Sequence, residues 1–277
     1  MEYEKIDNSL LGKGGYSSVY ICKQKGSNSN KRYAMKISEE SKINSKNYLQ
    51  VEYKILKYLF GGIGIPKVYS FGRENNEADK FYLVVQLLGN NLTQELKKYR
   101  NKIPKEIYIK MALQMISRVQ FLHSRGFIHC DIKPENFDFN LNKDRKDFTI
   151  YLIDFGLVEP YINLKTREHR QLQEKKGQKG TMIFCSMNSH MELSLSRRDD
   201  LESLAYCLIY LWAGKLPWSK GYNNEAVLSL KIEFSYYGYD NKYIPNNLLK
   251  FLDYAIKLKF EELPNYKYLK DLIIYYR

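Results

Sequence analysis

Short runs of β-branched and aromatic residues alternate with glycine-, asparagine- or serine-rich turns in the N-terminal part of the chain. This pattern is typical of strands joined by tight turns. The predicted strands are residues 6–12, 18–23, 32–38, 67–72 and 80–88. Between the third and fourth, apolar residues at helical spacing predict a helix over residues 49–59, which ends at the glycine-rich segment 61–66. Residues 1–88 are therefore predicted to form a five-stranded sheet with one helix.

The rest of the chain has the longer apolar period of helices. One helix is predicted from Pro104 to about His123, because proline is favoured at the first turn of a helix. A strand over residues 149–154 and a long basic loop follow, and a helix that is apolar on all sides then begins at Asp199. Its apolar run is too short to span a bilayer. The fold class predicted is α+β, with a small sheet-rich lobe, a larger helical lobe and a cleft between them.

Composition is that of a folded globular protein and excludes a disordered chain, with 44% hydrophobic and 27% charged residues among 277. The four cysteines form no CxxC pair, and the N-terminus lacks the apolar segment of a signal peptide. We therefore expect reduced thiols in a cytoplasmic or nuclear protein. The 44 Lys and Arg exceed the 31 Asp and Glu by 13. That charge suits nucleic acid, nucleotides or acidic proteins equally well.

A glycine-rich turn, LGKGGYSSVY, lies between the first two predicted strands. Glycines such as Gly12 and Gly14 let backbone N–H groups approach phosphate oxygens, although an ordinary hairpin would look the same. Further along, YAMK places Lys36 in a strand, where a lysine is usually a surface residue. The alternative is a cation directed at phosphates and held by a carboxylate, for which Glu52 on the predicted helix is the natural partner.

A polar segment, HCDIKPEN, places Asp131, Lys133 and Asn136 in one loop. Transfer of a phosphoryl group from a nucleotide requires a carboxylate that accepts a hydroxyl proton, a cation near the γ-phosphate and an oxygen ligand for Mg²⁺. The three residues fit these roles in that order, although a polar turn around Pro134 would explain any one of them. In LIDFGL, Asp154 follows an apolar strand and is a further candidate ligand for Mg²⁺.

The glycine-rich hairpin, AMK, HCDIKPEN and DFG occur in the order expected for protein kinases. The sequence resembles that family and, more narrowly, the casein kinase 1 family. The narrower resemblance rests on GGIGIPKVYSFG, LLGNNL, FIHCDIKPENF and GTMIFCSMNSH followed by LSRRDDLESLAYCLIYLWAGKLPW. It covers about residues 5–277, and Ser-Met-Asn at residues 186–188 stands where most kinases have Ala-Pro-Glu.

The resemblance implies one bilobal protein kinase domain, with residues 1–88 as the N-terminal lobe and residues 89–277 as the C-terminal lobe. Such a domain binds ATP with Mg²⁺ between the lobes and phosphorylates Ser or Thr of proteins. The implied ATP-binding residues are Gly12, Gly14, Tyr16, Val19, Ala34, Lys36, Glu52, Val85, Gln86 and Leu88. Among them, Lys36 would contact the α- and β-phosphates and pair with Glu52, while Gln86 and Leu88 would offer backbone groups to the adenine beside Val85.

The resemblance also assigns roles to the catalytic groups. Asp131 would be the base and Lys133 the cation at the γ-phosphate. Asn136 and Asp154 would be the magnesium ligands, and Asp200 would hold the backbone of the catalytic loop.

Three residues depart from the family pattern. Ser17 replaces the third glycine of the loop, from which we expect at most weaker phosphate binding. Cys130 replaces the arginine before the catalytic aspartate, which argues against control by phosphorylation of the activation loop, and we expect its thiol to be packed and inert. Ile183 replaces an arginine that helps the family bind primed or acidic substrates. The basic loop over residues 165–179 is a candidate substitute.

The partners expected are protein substrates with acidic or phosphorylated flanks, bound beside Lys176, Lys179 and Lys220. No obligate partner, membrane or specific nucleic acid is expected. Two other functions stay open. A pseudokinase or scaffold would transfer nothing, and only Ser17, Cys130 and Ile183 favour it. A nucleic-acid-binding protein would rest on the net charge alone, because we find no recognition motif with interleaved aromatic residues.

Overall fold

The computed structural model describes residues 2–14, 17–38, 48–73, 80–100, 102–141, 148–174, 177–237 and 243–275. An antiparallel sheet forms the N-terminal lobe and helices form most of the C-terminal lobe, which confirms the predicted α+β, bilobal class. The strands are β1 (Tyr3–Lys13), β2 (Ser17–Gln24), β3 (Tyr33–Ser38), β4 (Val68–Arg73), β5 (Phe81–Gln86), β6 (Phe127–Ile128), β7 (Phe137–Phe139), β8 (Ile150–Leu152) and β9 (Glu159–Pro160). The helices are α1 (Tyr48–Tyr58), α2 (Leu92–Lys98), α3 (Lys105–Ser124), α4 (Met187–His190), α5 (Arg197–Ala213), α6 (Asn224–Tyr237), α7 (Asn246–Lys257) and α8 (Tyr266–Ile274).

The N-terminal sheet has the strand order β1-β2-β3-β5-β4, and every neighbouring pair is antiparallel. The predicted five strands and one helix are therefore present, although β1 begins three residues earlier than the apolar pattern indicated. The register places Lys36 opposite Val19 on one side and Leu83 on the other, at the centre of the sheet. Because β3 pairs with β2 on one side and β5 on the other, the backbone of Lys36 is held from both sides.

The helix α5 runs through the core of the C-terminal lobe. It is buried along most of its length and packs near the fully buried Trp218, as its all-apolar pattern predicted. It begins at Arg197, two residues before the predicted start at Asp199. The Asp199 carboxylate accepts a hydrogen bond from the Ser196 backbone N–H at 2.6 Å, so this acid lies inside the first turn and stabilises the start of the helix.

The sequence analysis missed α2 and the short α4. The signal for α2 was present, because Asn91 and Gln94 form a reciprocal capping box: Gln94 N donates to Asn91 Oδ1 at 2.9 Å, and Asn91 N donates to Gln94 Oε1 at 3.0 Å. Within the described part of the chain, none of the helices has the length and apolar character that crossing a bilayer requires.

Candidate active site

A cavity of about 630 Å³ lies between the sheet and the C-terminal lobe. It gathers nearly all the residues predicted to bind a nucleotide, although they come from separate strands, a helix and a loop. Those that line it are Gly12, Gly14, Val19, Ala34, Lys36, Glu52, Val85, Gln86 and Leu88. Tyr16 lies outside the described residues. The cavity walls also include Glu135 and Ile153, which are sequence neighbours of the predicted metal ligands Asn136 and Asp154.

The expected ion pair between β3 and α1 is present. Lys36 Nζ lies 2.6 Å from Glu52 Oε1 and 3.8 Å from Asp154 Oδ1. Burial opposes the charge of Lys36, but Glu52 and Asp154 outweigh that cost and raise the pKa of the lysine. Lys36 is therefore a fixed cation at the inner end of the cavity, where the phosphates of a nucleotide would lie.

The catalytic loop holds Asp131 in a network of short hydrogen bonds. Lys133 Nζ donates to Asp131 Oδ2 at 2.7 Å, and Asn136 Nδ2 donates to the Asp131 backbone oxygen at 2.8 Å. The structure thus brings the three predicted residues of HCDIKPEN into direct contact. A carboxylate fixed in this way is oriented to accept a proton from a hydroxyl group placed beside it.

Thr181 completes this network and was missed by the sequence analysis. Its backbone N–H and its hydroxyl donate to Asp131 Oδ1 at 2.9 and 2.8 Å, and its Oγ1 accepts from Lys133 Nζ at 2.9 Å. The preceding Gly180 has φ +85°, and a Cβ there would lie 2.6 Å from the Cys130 oxygen. Only glycine permits this approach. The Gly-Thr dipeptide was visible, but its partner is 50 residues away.

The residues predicted to hold Mg²⁺ fit that ion chemically. Asp154 offers a half-exposed carboxylate beside the cavity. Burial acts to raise the pKa of Asp154, but Lys36, His129 and Lys133 outweigh it and lower that pKa. Asn136 uses its amide N–H₂ on Asp131, so its side-chain oxygen is the group left to coordinate. Hard divalent cations prefer such oxygen donors.

Asp200 holds the backbone of the catalytic loop, as the resemblance implied. Its carboxylate accepts from His129 N at 2.7 Å, from Cys130 N at 3.0 Å and from His123 Nε2 at 2.8 Å. His123 Nδ1 in turn lies 2.6 Å from the Tyr266 hydroxyl oxygen. Burial acts to raise the pKa of Asp200, but the hydrogen bond and charge of His123 outweigh it and lower the pKa.

A buried lysine on α6, which the sequence did not reveal, holds the segment after Thr181. Lys231 Nζ donates to the Met182 oxygen at 3.1 Å and to the Cys185 oxygen at 2.6 Å, and it lies 3.0 Å from His190 Nε2. Trp218 Nε1 donates to the Ile183 oxygen between them at 2.8 Å. We name residues 182–185 the substrate-side segment, because it continues from the residue that contacts Asp131.

Cys130 and Ser17 depart from the family pattern, but neither replaces a group that phosphoryl transfer requires. Cys130 is buried, as the prediction of a packed cysteine required, and burial raises the pKa of its thiol well above the usual value. Ser17 begins β2, and its backbone oxygen accepts from Gly14 N at 2.8 Å, so the glycine-rich turn closes with serine at this position.

The basic loop is partly neutralised by an acid. Glu159 lies between Arg170, which donates to it at 3.0 Å, and Lys179, which also donates to it. Two of the cations predicted to face acidic substrates are thus paired inside the protein. Lys176 lies outside the described residues, whereas Lys220 is exposed.

Asp138 was not singled out from the sequence, although PENFDF places an acid two residues after Asn136. It lies on β7 and lines the nucleotide cavity together with Val19 and Ala34. Burial raises its pKa to about 7. No described residue donates a hydrogen bond to its carboxyl group, although the charge of Lys36 partly offsets the effect of burial on its pKa.

A protein-family comparison agrees with this geometry. The model described as the protein kinase domain matches residues 6–266, which is nearly the whole chain. The matched range includes the cavity, the catalytic loop and the Asp154 segment, and also the buried Asp200 and Lys231 that hold the loops. The chain belongs to the protein kinase family.

Proposed function

We propose that this kinase transfers the γ-phosphate of Mg-ATP to Ser or Thr of proteins in acidic sequence contexts, as casein kinase 1 enzymes do. The observation that carries the proposal is the position of Asp131. Its two carboxylate oxygens are fixed by Lys133 and Thr181, next to a cavity that holds the Lys36–Glu52 pair. Every group that transfer requires of the protein is present in this arrangement.

In the proposed reaction, Asp131 accepts the proton of the attacking hydroxyl as its oxygen bonds to the γ-phosphorus. The bond between that phosphorus and the bridging oxygen breaks, and ADP leaves. Lys133 offsets the charge on the transferred group, and Lys36 orients the remaining phosphates. Mg²⁺, held by Asn136 and Asp154, would supply further charge neutralisation when bound.

Two observations support the choice of substrate. Thr181 joins the catalytic loop to the substrate-side segment, so a peptide bound along that segment lies close to Asp131. Lys220 is exposed and follows directly on Trp218–Ser219, the turn that holds Ile183. Arg170 and Lys179 are paired with Glu159, whereas Lys220 is exposed and supports a preference for acidic residues.

Transfer of radiolabelled phosphate from Mg-ATP to casein tests the activity. We expect Asp131→Asn to lower the turnover number by about 10²–10⁴, because an amide cannot accept the hydroxyl proton. Thermal stabilisation by Mg-ATP should be unchanged, since Asp131 does not line the nucleotide cavity. Equal activity of the wild type and Asp131→Asn would show that the role assignment is wrong.

A peptide library, screened with and without a priming phosphate, tests the substrate class. We expect phosphorylation of Ser and Thr within acidic flanks, and a weaker dependence on priming than an arginine at position 183 would give. Replacement of Lys220 by Glu should reduce the acidic preference. A library profile that favours basic flanks would contradict the proposed specificity.

A further inference from the structure

A second cavity lies beside Gln86 and Leu87, in the segment that joins the two lobes. We call this stretch the joining segment. The volume of the cavity is about 560 Å³, within the range of ligand pockets in proteins. We name it the rear pocket, and its lining is Asn30, Lys31, Arg32, Tyr33, Lys67, Tyr69, Gln86, Leu87, Leu141 and Tyr151. It therefore combines the loop before β3, the start of β4, the joining segment and the β7–β8 region.

The rear pocket is cationic. Lys31, Arg32 and Lys67 line it, and all three are exposed. None of its described lining residues is acidic. No salt bridge joins these three side chains to another described residue, in contrast to Arg170 and Lys179, which Glu159 neutralises. Within the described residues, no acid neutralises the positive charge of the rear pocket.

Two tyrosines of the rear pocket hold the ammonium group of Lys31 in place. Lys31 Nζ lies over the rings of Tyr33 and Tyr69, 5.4 and 5.2 Å from their centroids. The two rings contact each other edge to face, with centroids 4.6 Å apart. Cation–π contacts of this kind fix an ammonium group that would otherwise be mobile. Lys31 thus covers one face of each ring, which leaves fewer faces on which nucleic-acid bases could stack.

The rear pocket and the nucleotide cavity share a wall. Gln86, Leu87 and Leu141 line both cavities. Gln86 is also tied to the edge of the rear pocket, because its backbone N–H donates to the Lys67 oxygen at 2.8 Å. A ligand in the rear pocket would therefore contact the same segment that lines the nucleotide cavity.

We propose that the rear pocket binds an acidic segment of the protein substrate, remote from the hydroxyl group that is phosphorylated. This inference rests on the proposed function, since it assumes that the substrates are acidic proteins. Three cations that form no salt bridge with a described residue, in a described lining without an acid, complement a carboxylate-rich peptide, and the covered tyrosine faces disfavour nucleic acid. The rear pocket then raises the local concentration of the substrate at Asp131 without taking part in transfer.

Binding of a fluorescent peptide of ten glutamates, which has no hydroxyl to phosphorylate, tests the inference. Fluorescence anisotropy is measured with the full chain in the presence of a saturating, non-hydrolysable ATP analogue and Mg²⁺. We expect the triple variant K31E/R32E/K67E to weaken binding about tenfold or more. The matched control, K54E/K57E/K267E, changes the net charge equally at exposed lysines away from the pocket and should weaken binding less than threefold.

Three results would overturn the inference. The first is an equal loss of affinity in the control variant, which would show that the whole surface charge binds the probe. The second is no binding by the wild type. The third is binding of the probe that is seen only when the ATP analogue is left out, which would place the probe in the nucleotide cavity. A thermal melt of each variant identifies misfolding, and the neutral variant K31Q/R32Q/K67Q then replaces the charge reversal, with at least a threefold loss expected.

Two further arms separate the inference from its alternatives. A single-stranded RNA of ten nucleotides that bound more tightly than the peptide, and lost affinity in K31E/R32E/K67E alone, would assign the pocket to nucleic acid and refute the peptide. The probe is also measured with Asp131→Asn, which should bind it normally.

The outcomes for the two proposals can be told apart. If the chain bound the probe and transferred no phosphate, only the proposed function would fail. If it phosphorylated casein while K31E/R32E/K67E matched the control, only the rear-pocket inference would fail.

Discussion

The catalytic loop and the substrate-side segment are held from below by buried groups of opposite charge. Under the catalytic loop, the Asp200 carboxylate collects the backbone N–H groups of His129 and Cys130. Under the substrate-side segment, the Lys231 ammonium donates to the backbone oxygens of Met182 and Cys185. Each ionic group lies on a different helix and is only 2% exposed.

The sign of each charge follows from the backbone that it supports. The catalytic loop turns its N–H groups inward, with Cys130 at φ 66°, whereas the substrate-side segment turns its carbonyl groups inward. A buried charge is tolerated only when several polar groups satisfy it. The two supports therefore hold different halves of the active site, which Thr181 links at Asp131.

The largest effect is expected from Asp200→Ala. This change leaves three buried donors without an acceptor, and we expect it to lower the free energy of unfolding by about 3–5 kcal/mol in urea titrations. The turnover number should fall at least 100-fold in the protein that stays folded, because the loop that carries Asp131 loses its support. Asp253→Ala removes an exposed ion pair with Lys257 and should change stability by less than about 1 kcal/mol. Comparable losses in the two variants would refute the special role of Asp200.

Lys231→Met separates the two supports. It keeps the apolar contact with Tyr206 and Trp218 but leaves the Met182 and Cys185 oxygens without their donor. We expect a loss of about 2 kcal/mol in the free energy of unfolding. We also expect a rise of about tenfold in the KM for a peptide, with the KM for ATP unchanged. Lys270→Met, which removes one hydrogen bond to Gln120, is the matched control. A parallel rise in both KM values would contradict independent supports.

Asp138 differs from the buried ionic groups Asp200 and Lys231, because no described residue donates a hydrogen bond to its carboxyl group. We expect Asp138→Leu to lower the KM for ATP severalfold, since a carboxylate in the cavity repels a triphosphate and is costly to cover with a nucleotide. Asp138→Asn should show a smaller gain. An unchanged or higher KM in Asp138→Leu would show that this acid contributes to nucleotide binding.

The two supports also differ in their dependence on pH, which gives the smallest effect. Burial lowers the pKa of Lys231 to about 8, so above that pH the unfolded chain binds more protons than the folded one. The free energy of unfolding of the wild type should therefore rise relative to Lys231→Met, by about 1 kcal/mol between pH 8 and 9. Beside Lys231, burial raises the pKa of Glu202 to about 7 and lowers that of His190 to about 4. Neither group has its titration midpoint between pH 8 and 9, so the expected change is assigned to Lys231.

Asp200 shows a dependence of the same sign, but at acid pH. Its pKa is lower in the folded protein, so its contribution to stability is present above the pKa of the unfolded chain, near 4, and is lost as the pH falls through the folded value. The difference in stability between the wild type and Asp200→Asn should shrink below pH 4. Urea titrations across both pH intervals measure the two effects, and a constant difference in either interval would contradict the assigned charge.

Much of the active site could be predicted from sequence because its residues lie in short, ordered segments. Asp131, Lys133 and Asn136 occupy one loop, and the structure places them in contact. The pairing of Lys36 with Glu52 was also predictable, because the next element along the chain was a predicted helix that carries this acid. The start of α5 was placed two residues late, since Asp199 was read as the beginning of a helix in whose first turn it lies.

The two-lobed fold, the catalytic loop and the order of the chemical groups were predictable from the amino-acid sequence, because local spacing encodes all three. Three features depend on long-range packing: the contact of Thr181 with Asp131, the burial of Lys231 and the neutralisation of part of the basic loop by Glu159. The physical reason is the separation along the chain. A lysine at a helical position or an acid in a loop is ordinarily a solvated surface group, and only packing brings distant backbone oxygens or cations to it.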